Sequence, residues 1–329
     1  MEQQNYTTVN YFILKGISED PNLQLPIFLL VLFIYLITLG GNMTIFLIVC
    51  LDRHLHTPMY FFLGNLSLLD MFSTTITLHN ILITYVTGNK NISYVTCLTQ
   101  SFFIGSFTSD ELMLLSIMSF DRYVAIRNPL RYTLIMNQRL CIFWAIFCWI
   151  VGLLEVMPLI TLLSGFSCYR SNIINHFFCD LMPVMKLLCS DTSVLETLFF
   201  IEGVFLFTVI PFLLTFTPYI FIIVTILKIR SSTGRRKAFY TCSSHLIVVT
   251  LLFTTLICQY QRPVTEDSLE YNKFFSLFNT AAVPILNPFI YSLNNKDVKS
   301  ALRRSLRYIY INIIYEISLN LQFILIVCL

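Results

Sequence analysis

The sequence predicts an all-α membrane protein: a seven-transmembrane helix bundle, N-terminus outside, with a short amphipathic helix after the seventh span. Three observations carry that prediction. The 329 residues are 56% hydrophobic and only 12% charged, about half the ~25% charged fraction of a soluble domain. The apolar residues gather into seven runs, near 25–50, 58–80, 97–120, 140–162, 197–227, 238–260 and 272–293, each close to the ~20 residues a helix needs to cross hydrocarbon. Basic residues are also asymmetric. Lys15, Lys90, Arg170, Lys186, Arg262 and Lys273 fall on one side, and the other fifteen of the 21 lysines and arginines fall on the opposite side. The basic side is cytoplasmic.

Taken in order, residues 1–24 form a polar outer tail, residues 25–293 the bundle, and residues 294–329 a cytoplasmic tail. No cleavable signal peptide is expected in the tail, so the first span serves as the targeting signal. Asn5-Tyr6-Thr7 is a glycosylation sequon there, and Asn91-Ile92-Ser93 is another in the first outer loop. The same pattern at Asn42 and Asn65 falls inside spans and is a chance match. Inter-span loops are short, so no separate soluble domain fits. The cytoplasmic tail begins with a basic helix. Residues 306–329 add an unusual hydrophobic extension, read either as an interfacial helix or as a stretch without function. Asn312, Glu316, Asn320 and Gln322 argue against an eighth span. The net charge of +3 follows from topology and contact with anionic lipid, and does not point to nucleic acid.

Of ten cysteines, Cys97, Cys168, Cys179 and Cys189 lie on the outer side. That compartment is oxidising, so two disulfides are expected; four cysteines allow three connectivities, and spacing does not choose among them. Cys50, Cys141, Cys148, Cys242, Cys258 and Cys328 fall in spans or at inner ends, where a thiol packs as a small hydrophobe.

Charged residues inside the spans are costly and therefore informative. Asp121, Arg122 and Tyr123 directly follow the third apolar run, where an ion pair at the cytoplasmic boundary is open to a soluble partner. Asp70 and Glu111 sit at mid-membrane depth, each costing roughly 2.5–3.5 kcal/mol if ionised alone. They are either protonated and hydrogen-bonded to Asn42 and Asn287, or share a small cation. Asp110 points about 100° away from Glu111 around the helix, so the two face different cavities. Glu155 and Glu202 receive no role. Pro211, Pro284 and Pro288 weaken their helices locally. His176-x-x-Cys179 and His54-x-His56 have ligand-like spacing, but Cys179 is an expected disulfide partner and the other pair flanks a basic loop. No metal site is read at either.

Enzyme chemistry is excluded: no nucleophile–base pair, metal triad or phosphate loop is present. A retinal pigment needs a lysine in the middle of span 7, and Lys273 and Lys296 lie at its ends. An ion-coupled transporter would use the buried acids, yet the paired halves of transporters are missing.

Five motifs then line up: Gly41-Asn42; LHTPMYFFLGNLSLLD, Leu55 to Asp70; MSFDRYVAIRNPLRY, Met118 to Tyr132; KAFYTCSSH, Lys237 to His245; and PILNPFIY, Pro284 to Tyr291. This ordered set, spanning about Tyr11 to Arg304, resembles the vertebrate olfactory receptors, a branch of the rhodopsin-like G-protein-coupled receptors. A non-olfactory receptor of the same class is the runner-up. The resemblance implies a plasma-membrane protein of olfactory cilia that binds small, volatile, uncharged odorants. It further implies activation of a stimulatory, olfactory-type heterotrimeric G protein and a rise in cyclic AMP.

The resemblance implies site residues too. The odorant pocket falls on Ile104, Gly105, Thr108, Ser109, Gly203, Val204, Phe207, Phe253, Leu256, Ile257, Tyr260, Leu277 and Thr280, and about half of these only pack helix against helix. The coupling switch falls on Asp121, Arg122, Tyr123, Tyr219, His245, Asn287, Pro288 and Tyr291. In it Arg122 leaves Asp121 to meet Tyr219 and Tyr291, while His245 stabilises the inactive inner end. The implied disulfides are Cys97–Cys179 and Cys168–Cys189. No cofactor is implied beyond sodium, an allosteric ion at Asp70 and Glu111. The chain departs from the family pattern at Arg127 (usually Cys), Pro218 (usually Ser), Tyr240 (usually Ser) and Phe253 (usually Tyr).

Overall fold

The computed structural model describes residues 9–228, 231–260, 266–293, 297–305 and 307. Among them, seven long helical segments pack as one bundle. They are α1 (Pro21–Leu51), α2 (Pro58–Thr87), α3 (Tyr94–Arg127), α4 (Gln138–Ser164), α5 (Ser193–Leu227), α6 (Ser232–Tyr260) and α7. The last is built from Glu266–Leu277, a π-helical turn Phe278–Ala282, and Val283–Leu293.

Helix ends follow local chemistry. Asp20, Ser93 and Asn137 accept hydrogen bonds from the backbone N–H of Asn22, Thr96 and Leu140, at 2.9, 3.1 and 3.0 Å. Each satisfies a donor that the first helical turn leaves open. Proline begins α1 and α2, where its missing N–H costs nothing. Gly88, at φ 68°, closes α2 in the left-handed conformation that glycine alone adopts without strain.

Four helices, α1, α2, α4 and α5, are long and apolar enough to cross a membrane, and α6 holds a shorter apolar stretch, His245–Gln259. α1 shows why. Its buried residues, Val31, Thr38, Asn42, Ile45 and Ile48, form one stripe at helical spacing, while Leu29, Phe33, Leu36 and Leu47 face outward. A helix apolar on its outer face as well is suited to lipid. α3 is equally long but more polar. Ser106, Ser109, Asp110, Ser116, Ser119 and Asp121 are buried against its neighbours rather than turned outward. It lies between α2, α4, α5 and α6.

The all-helical expectation needs one correction. A three-stranded sheet caps the end of the bundle where α2 gives way to α3. β1 (Tyr11–Leu14) lies between β2 (Asn91–Ser93), antiparallel, and β3 (Ile173–Ile174), parallel. Phe12 is fully buried and meets Tyr169 edge-on at 5.3 Å. Three short segments 80 residues or so apart make this sheet, and such pairing leaves no periodic signal in any one of them.

Candidate functional site

The cap holds the loop between α4 and α5 down onto α3. Cys97 is bonded to Cys179, and Cys168 to Cys189. Gln100 donates to the Ile76 carbonyl at 2.7 Å and accepts from the Cys179 N–H at 2.9 Å, while Ser101 donates to the Cys179 carbonyl at 2.5 Å. On the α7 side, Lys273 donates to Asn175 at 2.9 Å. Within the loop, burial pushes the His176 imidazole down to about 3, helped by the charge of Lys273. Burial pushes Asp180 up to about 6, against donors from Met182, Gln259 and Leu181.

Beneath this roof lies a cavity of about 70 Å³. α3 contributes Ile104, Gly105 and Thr108, α4 Val156 and Leu159, α5 Glu202, Gly203, Phe207 and Thr208, and α6 Leu256; Phe178 to Leu181 close it. Gly105 is required by contact: a Cβ there would meet the Val156 methyls at 3.1 and 3.2 Å. On α5 the stretch Glu202–Val209 is π-helical, and Thr208 donates to the carbonyl of Gly203, five residues back, at 2.8 Å. That wider turn brings Glu202, Gly203, Phe207 and Thr208 together on one wall, whereas α-helical spacing would set neighbours 100° apart.

Six of the thirteen expected pocket residues line this cavity: Ile104, Gly105, Thr108, Gly203, Phe207 and Leu256. Ser109 instead turns to α4 and donates to Glu155. Phe253 packs against Phe212 and Phe216, and Ile257 is exposed on the outside of α6. Val204 and Leu277 lie off the cavity. The Tyr260 side chain falls outside the described residues. Thr280 lines a second, smaller cavity of about 30 Å³, which shares Ile104, Thr108 and Leu256 with the first. Sequence reasoning passed over Glu202 and Asp180; the acid directly before Gly203 was the available signal.

The smaller cavity also reaches Asp70, Ser73 and Glu111. Asp70 accepts from the Asn287 amide at 2.9 Å. Asn42 does not touch an acid, contrary to expectation: its amide donates to the carbonyls of Thr38 and Pro284, at 3.1 and 3.0 Å. Pro288, four residues on, has no N–H to donate, which leaves the Pro284 carbonyl free for this bond. Glu111 Oε1 and Asn287 Oδ1 are buried without hydrogen-bond partners. Two carboxyls, a bare amide oxygen and a cavity of this size fit a small cation. Asp110, as its angular offset predicts, faces elsewhere, over Gly152 of α4, where a Cβ would strike its carboxyl.

At the opposite end of α3, Asp121, Arg122 and Tyr123 lie within the last two turns, since the helix continues to Arg127. The expected Asp121–Arg122 pair is replaced. Asp121 accepts from the Tyr132 hydroxyl at 2.7 Å, and no ion pair to Arg122 forms among the described residues. Adjacent side chains on a helix diverge, so Tyr132 on the following loop is the better-placed partner. Tyr219 of α5 is hydrogen-bonded to His245 of α6 rather than to Arg122. Tyr123 packs beside Phe221. Ser119 and Ser116 bind the backbone and hydroxyl of Thr215, at 2.6 and 2.8 Å. Pro288 lies where Gly41 leaves room, 3.1 Å from a Cβ built on that glycine. The Tyr291 side chain, Tyr240 and Asn5 fall outside the described side chains. Asn91 is exposed on β2.

Comparison with known proteins places this architecture. A family model described as "Olfactory receptor" matches residues 31–308. "Olfactory receptor 5G9" of Mus musculus is 44% identical over 306 residues, covering 93% of this chain and 97% of the relative. "Olfactory receptor 2AP1" of Homo sapiens is 45% identical over 298 residues, 90% and 96% of the two chains. "Olfactory receptor 6C1" of Homo sapiens is 43% identical over 300 residues, 91% and 95%.

Proposed function

The chain belongs to the olfactory receptor family, and from that premise we propose that it is a seven-span odorant receptor with its N-terminus outside. It resides in the plasma membrane, in olfactory cilia, and couples to a stimulatory, olfactory-type G protein that raises cyclic AMP. One observation carries the reading: α3 connects both ends of the device. Its outer half walls the cavity through Ile104, Gly105 and Thr108, and its inner end presents Arg122.

An odorant in the cavity touches α3, α5 and α6 together. Binding shifts the bundle only by the ligand's differential affinity for its two states. In the resting arrangement Tyr219 of α5 is tied to His245 of α6, and Asp121 to Tyr132. Opening the inner end separates the first pair and frees Tyr219 to meet Arg122, with Pro288 as the hinge that swings Tyr291 inward. Arg127, exposed at the end of α3, adds positive charge beside the dock. Coupling is reciprocal, so the G protein tightens odorant binding by the free energy that odorant contributes to G-protein binding.

Asp70, Glu111 and Asn287 would hold the sodium ion. When bound, it supplies positive charge that neutralises two buried carboxylates in the resting state.

The test is surface expression with an odorant panel and a cyclic-AMP readout. Arg122→Ala is expected to reach the membrane and bind odorant yet raise no cyclic AMP. Full signalling by that variant at matched surface level would remove the arginine switch.

A further inference from the structure

Two acids line the outer cavity, Asp180 and Glu202, and among the described residues no Lys, Arg or His lines it. Asp180 is held by hydrogen bonds from Met182, Gln259 and Leu181. Glu202 is not. It is only 5% exposed, it faces the cavity, and no described residue donates a hydrogen bond to it. The charged group acting on it is another acid, Glu155 of α4. Glu155 acts in turn on Asp110 of α3, whose two carboxyl oxygens are buried over Gly152 without a partner. A lone hydroxyl, Ser109, donates to Glu155.

Acids thus run from α3 through α4 to α5 and end at the cavity wall. Buried carboxylates without a counter-charge are unfavourable in a low-dielectric interior, and a cation delivered to the wall relieves them. A bare metal ion is poorly served, since no three such groups among the described residues converge on a metal-binding arrangement. Beside the hydroxyls of Ser101, Thr108 and Thr208, the wall offers an apolar face of Gly105, Val156, Phe207 and Leu256 that suits a carbon skeleton.

We propose that the cavity takes a small ligand bearing a primary amine, with its ammonium group on the Glu202 carboxylate and its hydrocarbon body against Gly105, Val156, Phe207 and Leu256. This rests on the odorant-receptor reading and replaces an uncharged ligand with a cationic one of similar size. The carboxylate accepts the ammonium N–H bonds directly, and the π-helical turn of α5 fixes its aim.

The experiment compares matched probes on the full chain: short primary alkyl amines, and the alcohols of the same carbon skeletons. Binding is read by ligand-induced thermal stabilisation of the purified receptor in nanodiscs, and signalling by cyclic AMP in cells. At least one amine is expected to stabilise the receptor and to signal about tenfold more potently than its alcohol. Glu202→Gln should weaken that amine about tenfold at unchanged surface level, leaving the alcohol's weaker response in place, and Glu202→Asp should restore part of the loss. No stabilisation by any amine overturns the inference, as does equal potency for amine and alcohol. So does unchanged amine potency in Glu202→Gln. If alcohols alone signal, the inference fails while the receptor reading stands. If amines stabilise the receptor but nothing signals, the inference stands and the coupling reading fails.

Discussion

The hydroxyl of Tyr132, in the loop after α3, donates a 2.7 Å hydrogen bond to Asp121 Oδ1 near the end of that helix. The other oxygen of Asp121 has no partner, so this one phenol satisfies a buried acid and ties the loop to α3. Tyr132→Phe should therefore cost about 1–3 kcal/mol, the range for leaving a buried polar group unmet. It should also raise ligand-independent cyclic AMP, because the loop no longer holds the inner end. Unchanged melting temperature together with unchanged basal signalling would refute the latch.

A second tie joins segments distant in sequence. Arg304 donates to Asp52 at 2.9 and 2.6 Å. Burial pushes the Asp52 carboxyl up, but the His54 N–H and the Arg304 guanidinium outweigh it and hold it at about 2. A depressed acid stabilises the fold above its unfolded value near 3.9, and that contribution is lost as pH falls toward 2. Because Arg304 is half exposed, the pair is worth only about 0.2–1 kcal/mol. Asp52→Asn should melt slightly lower than the parent above pH 5, and the gap should close on acidification. A gap that persists undiminished below pH 2 argues against the ion pair.

The loop between α4 and α5 carries two opposed titrations. Asp180, raised to about 6, loses stability as pH climbs from about 4 to 6. His176, lowered to about 3, gains stability as pH climbs from about 3 to 6.5, because the unfolded chain binds the extra proton there. Between pH 4 and 6 the two offset each other in the parent protein. Asp180→Asn exposes the histidine contribution alone, so its melting temperature should rise steadily over that window. Parallel pH profiles for variant and parent would contradict the assignment.

Sodium is expected to stabilise the resting receptor through Asp70 and Glu111. Raising sodium should increase the melting temperature and weaken agonist potency, and Glu111→Gln should abolish both effects while preserving expression. Equal sodium sensitivity in parent and variant would dismiss the ion.

The bond between Cys97 and Cys179 fastens the cavity roof to α3. Cys97→Ser should cost roughly 2–5 kcal/mol and sharply reduce surface delivery. Normal delivery with normal ligand binding would show the roof is held without it.

Much of this protein was readable as a string. Helix positions were legible because spanning a membrane requires long apolar runs, and the runs near 58–80 and 140–162 fall within α2 and α4. The family was legible because Gly41-Asn42, Asp121-Arg122-Tyr123 and Asn287-Pro288 keep their order along the chain. Partners were not. Asn42 meets the Pro284 carbonyl, Asp121 meets Tyr132, and Tyr219 meets His245, and each choice depends on how two helices turn toward one another. Glu202 is the sharpest case. It opens a π-helical turn in α5, and hydrogen bonds spanning five residues instead of four rotate the wall residues that follow relative to it. A period of apolar residues records which helices exist; rotation and contact between them arise only when the bundle packs.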